Sequence, residues 1–204
     1  HEPVSAINPA DKSLDELKAS LNLSGQLTPV LVREKNDGYE IIDGHRRVAA
    51  SRQLGIKSVK AIITTATDRD AQLMGIIGNL QRKNLSVIEL AMAYRKMLDE
   101  GFYIDKKDLS IALGKDETYV GDVMNTLNMD SRIIDDLSRN GSVKDLKVLR
   151  AIRKAYPLGV AQVSDQQWLL YKRVIDEGLS RTQLKLLLHV KKSIATRAWK
   201  TKES

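Results

Sequence analysis

Every stretch of this chain that alternates like a β-strand lies before residue 66. From Ser86 onward, apolar residues recur only at helical spacing. One chain therefore has to hold two kinds of core. Pro29-Val30-Leu31-Val32-Arg33 reads as a strand, Asn36-Asp37-Gly38 as a hairpin turn, and Tyr39-Glu40-Ile41-Ile42 as the partner strand. Ser58-Val59-Lys60-Ala61-Ile62-Ile63 reads as a third. Between and around them, residues 13–24, 46–54 and 68–79 carry helical period. Ser13 and Glu16 have the spacing of a capping box, and Gly25 and Gly55 act as stops. The pattern predicts a small α+β domain over 1–83 and an all-helical domain over 84–204, with the switch near Asn84-Leu85-Ser86. In the second domain, Leu90, Tyr94, Met97 and Leu98 fall on one helical face, while Gly101, Gly114, Gly141 and Pro157-Leu158-Gly159 punctuate the helices.

Composition narrows the setting. Hydrophobic residues make up 42% of the 204, with a single Phe, so the cores must be aliphatic. The absence of cysteine excludes disulfides and thiolate metal sites and fits a reducing interior. No apolar run reaches the length of a membrane span, and no basic-then-apolar leader opens the chain. These features point to a cytoplasmic protein with no membrane partner. The first residue is His1 rather than Met, which reads as a trimmed amino end. Residues 144–204 hold 14 Lys/Arg against 5 Asp/Glu, an excess of +9 in a chain whose total is +7. A solvated helical surface would carry such charge, and so would a face that meets phosphates and releases their counterions.

Residues 106–127 have the pattern of a helix-turn-helix. Leu109 and Leu113 mark the first helix, Gly114 the turn, and Val120 and Val123 the inward face of the second; small Ser110 and Ala112 would let the helices approach. An ordinary helical hairpin would meet the same pattern. In a DNA reader the start of the second helix enters the major groove. Lys115, Asp116, Glu117, Thr118, Tyr119, Asp122 and Asn125 would then be exposed, with Lys106 at the head of the first helix. Asn can pair with adenine, and carboxylates can accept from cytosine. Yet Asp116, Glu117 and Asp122 would oppose a phosphate-rich surface, so further cations are expected from Lys144, Lys147, Arg150, Arg153 and Lys154.

Three segments of the first domain invite a phosphate reading: Gly25-Gln26-Leu27-Thr28-Pro29, Asp43-Gly44-His45-Arg46-Arg47 and Gly78-Asn79-Leu80-Gln81-Arg82. The second turns from a strand into a helix, where main-chain N–H groups attract anions and arginines add forked donors. Taken separately, each is also what a solvated helix start or a helix cap looks like.

Together and in this order, they resemble the ParB partition-protein family, including plasmid relatives that act as repressors of the KorB type. GQLTPVLVR resembles the first family box, DGHRRVAA the Gly-Glu-Arg-Arg box and GNLQRKNLSVIELAMAY the Glu-Asn-x-Gln-Arg box. LSIALGKDETYVGDVMNTL resembles the family helix-turn-helix, and SRIIDDLSRNGSVKDLKVLRAI the segment after it. The resemblance runs over about residues 3–155. It implies an α+β ParB/sulfiredoxin-like domain followed by an all-α helix-turn-helix domain. It also implies CTP as cofactor, double-stranded DNA bound at a specific, palindromic, centromere-like site, a homodimer, and a partition ATPase of the ParA type as partner. Location would follow: nucleoid or plasmid. The resemblance places Gly44, Arg46 and Arg47 against the phosphates and Gln26, Thr28, Asn79 and Arg82 around them, with His45 and Gln81 adjoining.

Two departures matter. His45 stands where the family has Glu, and Gly78 where the family has the Glu linked to Mg²⁺ and hydrolysis; losing that carboxylate removes an oxygen ligand. The resemblance therefore implies CTP binding with at most weak CTPase activity. The dimerising carboxy-terminal domain of the family is not recognisable after residue 160. A competing expectation is an enzyme, since sulfiredoxin-like and ParB-like nuclease folds share the first domain. Against it stand the missing Glu at Gly78, the absence of a nucleophile and the presence of a complete helix-turn-helix; the three histidines lack ligand spacing and give no metal site. His189 reads as a surface residue, Trp168 as packed, Trp199 as undetermined, and Ser180 as a helix cap with Arg181 beside it.

Overall fold

The computed structural model describes residues 12–81, 85–139, 141–157 and 163–189. The chain divides into two compact units, His1–Arg82 and Lys83–Ser204.

In the first unit, α1 (Lys12–Ser24) is followed by the hairpin β1 (Val30–Lys35) and β2 (Gly38–Asp43), then α2 (His45–Gln53), β3 (Ala61–Thr64) and α3 (Asp68–Leu80). The sheet order is β2-β1-β3. β1 runs antiparallel to β2 and parallel to β3. The hairpin closes through Asn36 and Asp37, with Asn36 at φ 52°, as a two-residue turn requires. Helix α1 lays Leu14 and Leu21 against Ala50 of α2, all buried, and α3 packs on β2. Ser13 falls within the bounds of α1, which runs from Lys12. β3 starts at Ala61, three residues later than its sequence pattern, since the main chain of Lys60 is held by the Gln26 side chain.

One buried cation organises the sheet. Arg33 on β1 is 6% exposed; its Nε donates to Glu40 of β2 at 2.6 Å, Nη1 donates to the Ala66 carbonyl at 3.2 Å, and Nη2 pairs with Asp68 at the start of α3. These bonds hold the Glu40 and Asp68 carboxyls below their usual range and raise the Arg33 guanidinium.

In the second unit, all regular elements among the described residues are helical. They are α4 (Val87–Asp99), α5 (Lys106–Leu113), α6 (Glu117–Met124), a 3-10 turn (Asn125–Asn128), α7 (Ser131–Arg139), α8 (Leu146–Ala155), α9 (Val163–Asp176) and a last helix, α10, over 181–189. Capping boxes start α3 at Thr67 and Asp70 and α4 at Ser86 and Glu89. The buried stripe of α4 is Ile88, Ala91, Tyr94 and Met97, with Leu90 and Leu98 only half-buried at its margins. Ile133 and Leu137 of α7, Leu149 and Ile152 of α8, and Leu170 of α9 form the mainly aliphatic core expected of a chain with one Phe, with the Tyr171 ring of α9 buried among them. Among the described residues, no helix is long and apolar enough to cross a membrane.

Candidate functional site

The helix pair α5–α6 is built around Gly114. This residue adopts φ 60°, a left-handed conformation that costs other residues about 1–2 kcal/mol. Its N–H donates to the Ile111 carbonyl at 3.1 Å, and that of Lys115 to the Ser110 carbonyl at 2.9 Å, closing α5. Two residues on, Asp116 caps α6: its carboxylate accepts from the N–H groups of Thr118 at 2.7 Å and Tyr119 at 3.3 Å. Leu109, Val120 and Val123 are completely buried, and α4 packs against both helices. Ser110 is the small buried residue at the crossing. Ala112, expected there as well, is exposed because it falls on the opposite face of α5.

The first turn of α6 projects outward, with Lys115, Glu117, Thr118 and Tyr119 exposed. Lys115 Nζ lies 6.0 Å from the centroid of the Tyr119 ring. Burial pushes the Tyr94 phenol of α4 up to about 12, with a smaller contribution from Tyr119. Two expected positions are placed differently. Asp122 is largely buried and faces Arg150 of α8, whose Nη1 lies 3.4 Å away. Asn125 falls beyond the end of α6, in the 3-10 turn, and is half-buried. Lys106 is exposed at the start of α5. Lys144 and Lys147 are exposed around the start of α8, where Asp145 caps the helix by accepting from the Lys147 N–H at 2.8 Å. Arg153 is half-buried and Lys154 exposed farther along α8.

In the first unit, the turn from β2 into α2 is the point of closest approach. Gly44 sits at φ 98°, and a Cβ there would come within 2.7 Å of Cγ1 of Val30. Only glycine fits. Among the described residues no side chain caps α2, so its first N–H groups meet no capping oxygen there, as an anion site at a helix start requires. His45 is exposed and Arg46 half-buried on that first turn.

Arg47 and Gln26 are both bonded to the main chain of the segment around β1 and β3. Arg47 Nη1 donates to the carbonyls of Thr28 at 2.9 Å and Pro29 at 2.7 Å, and Nη2 donates to Asp43 at 2.9 Å. The guanidinium ties α2 to the segment before β1. The amide of Gln26 is bonded to the main chain of Lys60 and Thr28. Thr28 itself is exposed. Asn79 is exposed on the last turn of α3 and Gln81 caps its end; Arg82 lies outside the described residues.

Asp43, which opens the second of the three segments, has a role that the motif alone did not suggest. It pairs with Arg47 and lies beside Gly78, whose notional Cβ would stand 3.4 Å from its Oδ1. Its signal was the i, i+4 spacing to Arg47. Among the described residues, no group of three His, Cys, Asp or Glu is placed to hold a metal ion.

The family model of the ParB N-terminal domain matches residues 3–80, and that of the ParB HTH domain matches residues 83–193. The chain is 32% identical over 178 residues to the chromosome-partitioning protein Spo0J of Thermus thermophilus, covering 87% of this chain and 62% of that one. It is 34% identical over 170 residues to the chromosome-partitioning protein ParB of Myxococcus xanthus, covering 83% and 54%. It is 30% identical over 194 residues to a nucleoid occlusion protein of Listeria innocua, covering 93% and 65%. The chain thus spans less than two thirds of the length of each relative. The crystal structure of a C-terminally truncated chromosome-partitioning protein ParB from Caulobacter crescentus, complexed to the centromeric parS site, matches with a TM-score of 0.64. That match has 26% identity over 92% of this chain and 97% of the other. With both units matched in chain order, this chain belongs to the ParB family.

Proposed function

We propose that this chain binds a specific, palindromic double-stranded DNA site of the centromere type and serves plasmid or chromosome partition. The observation that carries the reading is the start of α6. A glycine turn and an aspartate cap fix it against α4 and α5, and it leaves Lys115, Thr118 and Tyr119 outward, where a recognition helix meets base edges. Lys144 and Lys147, with Lys106, supply the phosphate contacts that hold the duplex. A palindromic site calls for two copies, so the working species is a homodimer, with a ParA-type ATPase as partner and the nucleoid or plasmid as location.

The first unit takes CTP in the same reading. The uncapped start of α2, close-packed Gly44, and Arg46 with His45 on the first turn suit a triphosphate. Arg47 holds that turn in place through Thr28 and Pro29, and Gln26 fixes the loop beside it. Gly78 brings no carboxylate, and Asp43 beside it is already paired, so these side chains do not by themselves assemble a divalent-cation site. This favours a nucleotide that is held over one that is efficiently hydrolysed.

Selection of tight binders from a pool of random duplexes, with and without CTP, tests both parts. One enriched palindrome is expected, with retention that changes when CTP is added. A pool that stays random removes base reading. An enriched site indifferent to CTP removes the coupling to the first unit.

A further inference from the structure

Helix α6 carries a carboxylate that electrostatics would keep off a DNA-facing element. Asp122 lies a little over one turn past the start of the helix. A bare Asp there would repel phosphates, and its charge would weaken every complex. Its side chain is only 12% exposed and turned toward α8, where Arg150 Nη1 stands 3.4 Å from Oδ2. Arg150 follows Leu149 and precedes Ile152 by two residues; both are buried in the core shared with α7 and α9. Its stem therefore rises from a fixed helix face. The same helix displays Lys144 and Lys147 at its start.

The contact thus joins the helix that would meet bases to the helix that offers cations to phosphate. As an ion pair with one partner 39% exposed, it adds little to folding. Its larger effect falls on charge: without Arg150, Asp122 is an uncompensated anion at the rim of a DNA face.

We infer that Arg150 is a positioning residue for DNA recognition, which neutralises Asp122 and seats α6 against α8, and does not contact phosphate. The inference rests on the base-reading role proposed for α6.

The test compares wild type, R150Q, D122N and the double variant on two duplexes: the sequence the wild type selects and a scramble of it. Affinities are measured over a range of salt. R150Q is expected to bind both duplexes about tenfold more weakly at low salt, and the loss shrinks as salt rises because the bared Asp122 charge is screened. D122N placed on R150Q restores most of the loss. D122N alone releases the guanidinium; binding to the scramble tightens, the salt slope steepens by about 0.9, and discrimination falls. A slope reduced by about 0.9 in R150Q, with no rescue by D122N, makes Arg150 a phosphate contact and overturns the inference. Should R150Q prove unfolded by circular dichroism, D122N alone decides, and an unchanged slope overturns it. Equal binding of both duplexes by the wild type would instead sink the base-reading role of α6, and this one with it.

Discussion

Gln26 and Lys60 hold each other at two points: the Gln26 amide nitrogen donates to the Lys60 carbonyl at 2.8 Å, and the Lys60 N–H donates to the Gln26 amide oxygen at 2.6 Å. The Lys60 carbonyl also accepts from the Val30 N–H at 3.0 Å. A side chain thus extends the parallel β1–β3 ladder one residue ahead of its first pair, Val30 and Ala61. Gln26→Ala removes all three side-chain bonds, the two to Lys60 and the one to the Thr28 carbonyl, and leaves the Lys60 N–H to water. A loss of about 1–2 kcal/mol is expected. Gln26→Glu keeps the acceptor but sets a carboxylate against a carbonyl, and should lose at least as much. Urea unfolding of the full chain measures both, and an unchanged midpoint for Gln26→Glu would discard the clasp.

Arg47 makes three bonds in a fork that no lysine can copy. If its task is to hold the segment before β1, Arg47→Lys should cost almost as much stability as Arg47→Ala, about 2 kcal/mol. If its task were to offer charge to phosphate, lysine would rescue it. Melting temperatures and CTP titration calorimetry on the same two variants separate the roles. A lysine variant with wild-type stability and wild-type nucleotide affinity contradicts the structural role.

These two residues also mark where sequence was enough and where it was not. The strands, the hairpin at Asn36-Asp37, the turn at Gly114 and the change to helices after Ser86 were legible because period and turn chemistry are local. The side-chain destinations were not. Gln26 reaches a residue 34 positions away and Arg47 one 19 positions back, and neither distance leaves a periodic trace. Asp122 read as exposed because helical spacing locates a residue on α6 but cannot say that α8 lies against it. Asp116 was legible in type but not in role. A residue two positions after a turn glycine is as well placed to cap as to touch a base, and here its carboxylate serves the backbone.

Lys144 and Lys147 flank Asp145, the cap of α8, and both are exposed. Substituting each by glutamine should weaken binding to selected and scrambled duplexes alike. Each loss should lower the salt slope by about 0.9, since one counterion fewer is released per phosphate contact. Filter binding at several salt concentrations reads this directly. A double variant with the wild-type slope would move the phosphate contacts to another face.

Asp130 joins α7 to α9 through a buried carboxylate and makes the folded state sensitive to acid. It accepts from Arg132 Nε at 2.9 Å, from Arg132 Nη2 at 2.9 Å and from the Ser164 hydroxyl, while its own N–H donates to Gln167. The Arg132 bonds dominate and bring its pKa from 3.8 to about 2. A carboxyl depressed on folding stabilises the protein above its unfolded pKa, so the contribution is complete above about pH 5 and is lost as pH falls toward 2. It amounts to roughly 2 kcal/mol. Asp130→Asn removes the charge and should flatten that part of the curve: the stability gap between wild type and variant is widest near neutral pH and closes on acidification. Urea unfolding followed by circular dichroism from pH 6 down to pH 2.5 measures the gap. A constant difference across that range would mean that the Asp130 carboxyl titrates alike in the folded and unfolded chain, and that its bonds to Arg132 do not persist in solution.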